Sequence, residues 1–269
     1  MNPLTAGTSN ASSGILQSLN SNQNLTNDIQ TQLSTNKKIL DPAQQGVVTR
    51  LQSQVTSYAA AHNNIAKAQN VLNVASTGLK SISSLLTQMQ DLANKANDAT
   101  MTSTDAAKLQ QTFSHLLQQV ASTATNSKVD SVGLLSNTVS QLAIQTGLTT
   151  SDTTTINVVS SDTTTLGISA VNISTPTQAA AAITALASAL ATISTSQSSV
   201  AADQMALETV DTQDASISQN LQNTIDTIQK PDAAALQMQL QNANNQQSMN
   251  YYLINQMNQE ASSVLTIFR

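Results

Sequence analysis

Along most of this chain apolar residues recur at alternating steps of three and four, which places them on one face of a helix. The pattern is interrupted near Asp41-Pro42 and at Pro231, leaving a thin stripe at each end and longer ones between. The N-terminal stripe comprises Ile15, Leu16, Leu19, Leu25, Ile29 and Leu33, and Asn22 and Thr26 interrupt it. The C-terminal stripe comprises Leu236, Leu240, Ala243, Tyr251, Ile254, Met257, Ala261, Val264 and Phe268. Chain ends usually fray in water, so a stripe carried to the last residue calls for a partner. The two ends are expected to pair with each other and with further copies. Residues 1–14, small and polar, are expected to be flexible in the isolated molecule.

Between the ends, Val48, Leu51, Val55, Tyr58, Ile65, Leu72, Ala75, Leu79, Ile82, Leu86, Met89, Ala93 and Ala96 mark a helix from Val47 to Asn97. At 1.5 Å per residue it would run about 70 Å. His62 and Gln69 occupy two slots of its seam, and Gly78 costs roughly 1 kcal/mol inside it. Thr104-Asp105 is the expected cap of a third helix carrying Leu109, Phe113, Leu116 and Val120. A Gly-centred turn is expected over Val129–Leu135. Three short β-branched runs follow, at Leu142–Gly147, Thr155–Val159 and Thr165–Ile168, and read as a hairpin or meander. Thr175-Pro176 opens another long helix, with Ile183, Leu186, Leu190, Ile193, Val200, Leu207, Val210, Ile217, Leu221, Ile225 and Ile228 on its stripe. A local break is expected at the polar stretch Ser194–Ser199.

The expected fold class is mainly α, a long antiparallel helical rod or coiled coil built from N- and C-terminal arms, with a small β-hairpin or meander near 139–173. Residues 1–42 and 232–269 form the expected terminal coiled-coil domain, and 43–231 the helical rod.

Composition narrows the packing. Of 269 residues 39% are apolar, but aromatics make up 2% and tryptophan is absent. Thin helix seams, where alanine allows close approach, fit this better than a thick core. Charged residues are 9% with a net charge of −5, which argues against binding nucleic acid. Without cysteine there is no disulfide or thiolate site. The start of the chain lacks the basic and apolar regions of a cleaved secretory signal. No apolar run approaches the ~18 residues of a membrane span, so membrane insertion is not expected.

Little in the sequence supports chemistry. His62 and His115 lie on different helices with no acidic cluster in view, and metal sites need several converging ligands. Asp211 and Asp214 are one helical turn apart, and a solvated face is the expected reading. Glu208 and Glu260 are the only glutamates, and no phosphate-cradling loop or nucleophile elbow is present. The expectation is a protein that is not an enzyme and needs no cofactor or metal.

Five elements, in order, carry a resemblance to a known family. Leu33-Ser-Thr-Asn-Lys-Lys-Ile39 is similar to Leu-Ser-x-Gly-x-Arg-Ile. Leu85-Leu-Thr-Gln-Met-Gln-Asp-Leu-Ala-Asn-Lys-Ala-Asn97 is similar to a segment ending Arg-Glu-Leu-Ala-x-Gln-x-x-Asn. Val132-Gly-Leu-Leu135 resembles Phe-Asn-Gly-x-x-Leu, and Gln141–Gly147 resembles the first strand of a hairpin. Val264-Leu-Thr-Ile-Phe-Arg269 resembles Val-Leu-x-Leu-Leu-Arg. The family these resemble is bacterial flagellin, in a minimal form lacking large outer domains. Asn36 stands where the family pattern has glycine.

The resemblance implies a structural subunit of the flagellar filament, a helical tubular polymer used for motility. It implies export through the flagellar type III route and an extracellular location. Other copies of the chain, the junction and cap proteins and the export apparatus are the implied partners. A hook–filament junction protein is the nearest alternative, and a secreted helical adhesin or translocator the next. The terminal stripes are the expected assembly elements, through Leu16, Leu19, Leu25, Ile29, Leu33, Leu253, Ile254, Val264, Leu265 and Phe268. Burying each large side chain is worth about 1.5–3 kcal/mol against about 1–2 kcal/mol of backbone entropy per ordered residue. The ends of a free subunit are therefore expected to be largely disordered and to order on polymerisation.

Overall fold

The computed structural model describes residues 3–136 and 141–267. Five helices dominate them: α1 (Pro3–Thr35), α2 (Pro42–Ala96), α3 (Ser103–Asn126), α4 (Pro176–Gln229) and α5 (Ala233–Ile267). Two antiparallel strand pairs lie between α3 and α4: β1 (Lys128–Val129) with β2 (Val132–Gly133), and β3 (Gln141–Gln145) with β4 (Thr153–Asn157). The fold is mainly α, as the periodicity requires. The chain divides into two compact units, one of Met1–Gln52 with Leu221–Arg269 and one of Ser53–Asn220.

The helix ends follow from local chemistry. Pro3, Pro42 and Pro176 each occupy a first helical position, where the missing N–H costs nothing. Asp41 caps α2 by accepting from Gln44 N–H at 2.8 Å, and Asp232 caps α5 by accepting from Ala234 and Ala235 N–H at 3.1 and 3.0 Å. Thr175 caps α4, its Oγ1 accepting from Gln178 N–H at 3.3 Å. The cap of α3 is Thr102, two residues before the expected position. Its hydroxyl accepts from Asp105 N–H at 3.2 Å and donates to the Asp105 carboxylate at 2.8 Å. At the end of α1, Asn36 takes φ 51°, the left-handed conformation that terminates helices and that Asn tolerates best after Gly.

Three other expectations change. The first helix begins at Pro3 rather than near Ile15, since extending a formed helix is far cheaper than nucleating one. No break occurs at Ser194–Ser199. Ser198 and Thr195 donate to the carbonyls of Ser194 and Ala191, which keeps their hydroxyls satisfied within the helix. The run Thr165–Ile168 is a turn, not a strand. Asp162 accepts from the N–H groups of Thr164 and Thr165 and from the Thr165 hydroxyl, and Gly167 sits at φ 69°. This side-chain capture is what Asp does in turns.

The turn near 130 is also displaced from its expected centre. Asp130 and Ser131, at φ 47° and 69°, link β1 to β2, and Gly133 lies within the strand. Two consecutive left-handed residues are the geometry of a two-residue hairpin.

In the Ser53–Asn220 unit one core is shared by three helices and both hairpins. Ile65, Leu72, Leu79, Ile82, Leu86 and Met89 of α2 meet Phe113 and Val120 of α3. Leu134, Leu135, Ile156 and Ile168 of the intervening segment and Leu186, Ile193 and Leu207 of α4 complete it. Two polar contacts fix α2 and α4 as antiparallel, His62 to Asp211 and Asn73 to Gln204. Gly78 has a packing reason. A Cβ there would lie 2.3 Å from Ser127 Oγ and 2.6 Å from Leu135 Cδ1.

One sequence expectation about bilayers is revised. Within the span Pro176–Glu260 an 18-residue stretch is apolar enough by composition to cross a membrane. At the start of α4, Ala179, Ala182, Leu186, Ala189 and Ile193 are buried at steps of three and four, so alanine there serves close helix packing.

Candidate assembly surface

In the terminal unit α1 packs along α5. The two ends thus form a paired helical element. Lys38 N–H donates to the Gln229 carbonyl at 2.7 Å, and the Asn250 side-chain amide donates to Ser18 Oγ at 3.3 Å. Lys38 lies just past α1 and Gln229 just before α5, and from 38 back to 18 the partners advance from 229 to 250, so the helices run antiparallel.

The seam itself is a heptad pattern. The buried or half-buried positions of α1 include Ile15, Leu19, Asn22, Thr26, Ile29 and Leu33, and those of α5 include Leu236, Leu240, Ala243, Gln247, Asn250, Ile254 and Met257. Both series step by four and three, which keeps each helix facing its partner. Ile29 is 1% exposed, and Leu236 and Ala243 are buried with it. Such a pair has room for one thin seam.

This geometry separates the expected assembly residues. Leu19, Ile29 and Leu33 lie in the α1 side of the seam and Ile254 in the α5 side. Leu16, Leu25 and Leu253 are outside it, at 52%, 43% and 40% exposure. Val264 and Leu265 belong to α5, but their side chains, and Phe268 entirely, lie outside the described residues. Tyr251, expected on the stripe, is exposed, and the stripe reading missed three further exposed groups on α5: Met238, Met249 and Tyr252, the last at 68%. Their polar neighbours in the Gln/Asn-rich run masked them as a face.

The Ser53–Asn220 unit holds an acidic group that sequence reasoning placed in solvent. His62 Nδ1 lies 2.5 Å from Asp211 Oδ1, and the His62 side chain is well exposed. Asp214 is buried, and its Oδ2 has no hydrogen-bond partner. Burial raises the Asp214 pKa, and the nearby Asp211 and Asp152 charges raise it further. Burial likewise raises the Tyr58 pKa, with Asp214 and Asp152 adding to it. Asp152 is itself held low by hydrogen bonds from the Thr149 backbone and side chain. Antiparallel pairing of α2 with α4 turned this face inward, which the spacing of Asp211 and Asp214 alone does not reveal. Among the described residues no three His, Asp or Glu side chains converge as a metal site requires.

Compared with known protein families, residues 7–140 match the bacterial flagellin N-terminal helical region. This chain belongs to the bacterial flagellin family. The match runs through α1, α2, α3 and the first hairpin. Among curated flagellins it is 27% identical over 132 residues to flagellin FljO of Caulobacter vibrioides, covering 48% of each chain. It is 27% identical over 117 residues to the flagellin of Listeria innocua serovar 6a, covering 44% of this chain and 41% of that one. The chain therefore spans about half the length of the curated flagellins it matches. The crystal structure of Bacillus cereus flagellin has the same fold, with a TM-score of 0.52 at 22% identity over 56% of this chain and 88% of that one. Flagellins are a structural rather than an enzymatic family.

Proposed function

We propose that this flagellin is a structural subunit of the bacterial flagellar filament, assembling through the terminal α1–α5 element. The observation that carries the reading is that this element fills one seam and still exposes Leu16, Leu25, Leu253, Tyr251 and Tyr252 on its outside. Exposed apolar residues on a long paired helix mark an interaction surface. Copies of the same chain are the natural occupants, since a repeated head-to-tail contact that does not close on itself gives a helical filament. Residues 1–42 and 232–269 would then be the inner assembly domain. Leu16, Leu19, Leu25, Ile29, Leu33, Leu253, Ile254, Val264, Leu265 and Phe268 would line its shared core. The remaining residues, 43–231, would form the helical rod with its hairpins. Junction and cap proteins and the export apparatus would meet the same ends, and the working location would be outside the cell.

Two measurements test this. Purified full-length protein is expected to polymerise into long filaments visible by electron microscopy, and protein lacking 1–40 and 232–269 to remain unpolymerised. Polymerisation of the trimmed chain at the rate of the intact one would overturn the assembly role of the ends. A strain deleted for the gene that keeps full filaments would assign the chain a minor or different role. A junction protein would instead give short oligomers that lengthen only with another flagellar protein.

A further inference from the structure

We propose that Asn22 sets the register of the α1–α5 seam. Asn22 is 7% exposed at a seam position, and its Nδ2 has no hydrogen-bond partner. A leucine in its place would extend the apolar series of Leu19, Ile29 and Leu33. An asparagine buried in a helix seam sacrifices stability, and its value lies in the pairings it disfavours.

The alternatives here can be named. In the observed register, marked by Ser18–Asn250, the α5 seam position level with Asn22 is Gln247. A slip of one heptad in either direction keeps both stripes facing each other, so hydrophobic pattern alone does not forbid it. That slip sets Asn22 level with Ile254 or with Leu240. Neither side chain offers a hydrogen bond, whereas Gln247 carries both a donor and an acceptor amide. Asn250, one turn along the same seam, already bonds across to Ser18 at 3.3 Å. Asn22, Gln247 and Asn250, with Thr26 one turn on, thus form a polar stretch in a seam whose other positions are apolar, and the observed register sets its members level with one another. The proposal rests on the intramolecular pairing and stands apart from the filament reading.

The chain has no cysteine, so engineered pairs report register cleanly. The full-length protein is oxidised at low concentration, and the monomeric cross-linked species is quantified by gel mobility. Ser18→Cys with Asn250→Cys reads the native register. Ser18→Cys with Met257→Cys, and Ser18→Cys with Ala243→Cys, read the two slips. With Asn22 present, the native pair is expected to cross-link and the slipped pairs to lag. Adding Asn22→Leu is expected to raise slipped relative to native cross-linking about tenfold, the order set by one misplaced buried polar group. Asn22→Ala, which removes the amide without adding bulk, should shift the ratio in the same direction, and Asn22→Gln should preserve native selectivity. Circular dichroism confirms that helix content is retained. Unchanged ratios in both the Leu and Ala variants would overturn the proposal, as would slipped cross-linking as fast as native in the parent. None of these outcomes depends on whether the protein polymerises.

Discussion

Asp214 is a carboxylate that the fold tolerates rather than uses, and neutralising it should stabilise the Ser53–Asn220 unit. Its Oδ2 is buried without a partner, and Asp211 and Asp152 add like charge nearby. Asp214→Asn keeps the shape and removes the charge. Leaving a buried polar group unsatisfied costs about 1–3 kcal/mol, more if charged. The asparagine amide still needs partners, so the gain is the charge-dependent part, on the order of 1 kcal/mol. For a unit of this size that corresponds to a rise in Tm of about 2–4 °C.

The pH dependence has a definite sign. Because the folded pKa is raised, the group's contribution is fully present below the ordinary carboxylate value. It is lost as pH rises through the raised one. The advantage of Asp214→Asn should therefore be largest near neutrality and shrink toward zero below about pH 4, where the native carboxyl is protonated in both states. Asp98, Asp105, Asp152 and Asp162 have lowered values from their hydrogen bonds, so their contributions run oppositely and are lost on acidification. Subtracting the parent from the variant removes the contributions of Asp98, Asp105 and Asp162, whose charges do not act on Asp214. The assay is calorimetry of the full chain from pH 4 to 8, with hydrogen exchange on α4 peptides to localise the effect. A variant less stable than the parent at pH 7, or an advantage independent of pH, would refute the reasoning.

Three further outcomes are expected. Leu86→Ala, at a fully buried core position, should lose about 2–5 kcal/mol in urea unfolding. Gly78→Ala should also destabilise, by about 1–3 kcal/mol in the same assay, although alanine is the better helix former. The reason is that its Cβ would meet Ser127 and Leu135. Leu25→Ser combined with Leu253→Ser should leave the monomer's thermal melt within about 0.5 kcal/mol of the parent, while light scattering shows a raised critical concentration for polymerisation.

Periodicity revealed the helices because each buries one stripe, and the proline and Asp positions revealed most of their ends. The same periodicity located Ile29, Leu33 and Ile254 on seams. It could not rank them against Leu16, Leu25 and Leu253, because the depth of burial depends on where the antiparallel partner lies. Asp214 was misjudged for the same reason. Three residues from Asp211, it reads as one turn of a wet face until α2 is laid against α4. The strand expected at Thr165–Ile168 failed differently. Asp162 offers three hydrogen bonds to the following residues, and that local alternative outcompetes β propensity. Gly78 read as a weak point of a helix, because a cost in propensity is visible in sequence and a close approach from Ser127 and Leu135 is not.

The sparse charge of this chain bears on how its long helices can both fold and accept neighbours. Among the described residues the contact between a Lys or Arg and a carboxylate is the exposed Lys108–Asp105, which contributes little, and His62–Asp211 is a hydrogen-bonded pair. The helix faces are instead finished with hydroxyls turned back on the helix. Thr49, Ser57, Thr77, Ser81 and Thr87 on α2 each donate to the carbonyl four residues earlier. Such a face holds few charges that would have to be stripped of water when another surface approaches, and removing charges from water is the dominant cost of polar interfaces. Net charge also accumulates with every copy added to a polymer and opposes growth. A surface of self-satisfied hydroxyls and amides lowers both costs while leaving the single α1–α5 seam, with its polar stretch at Asn22, to define which helices belong together.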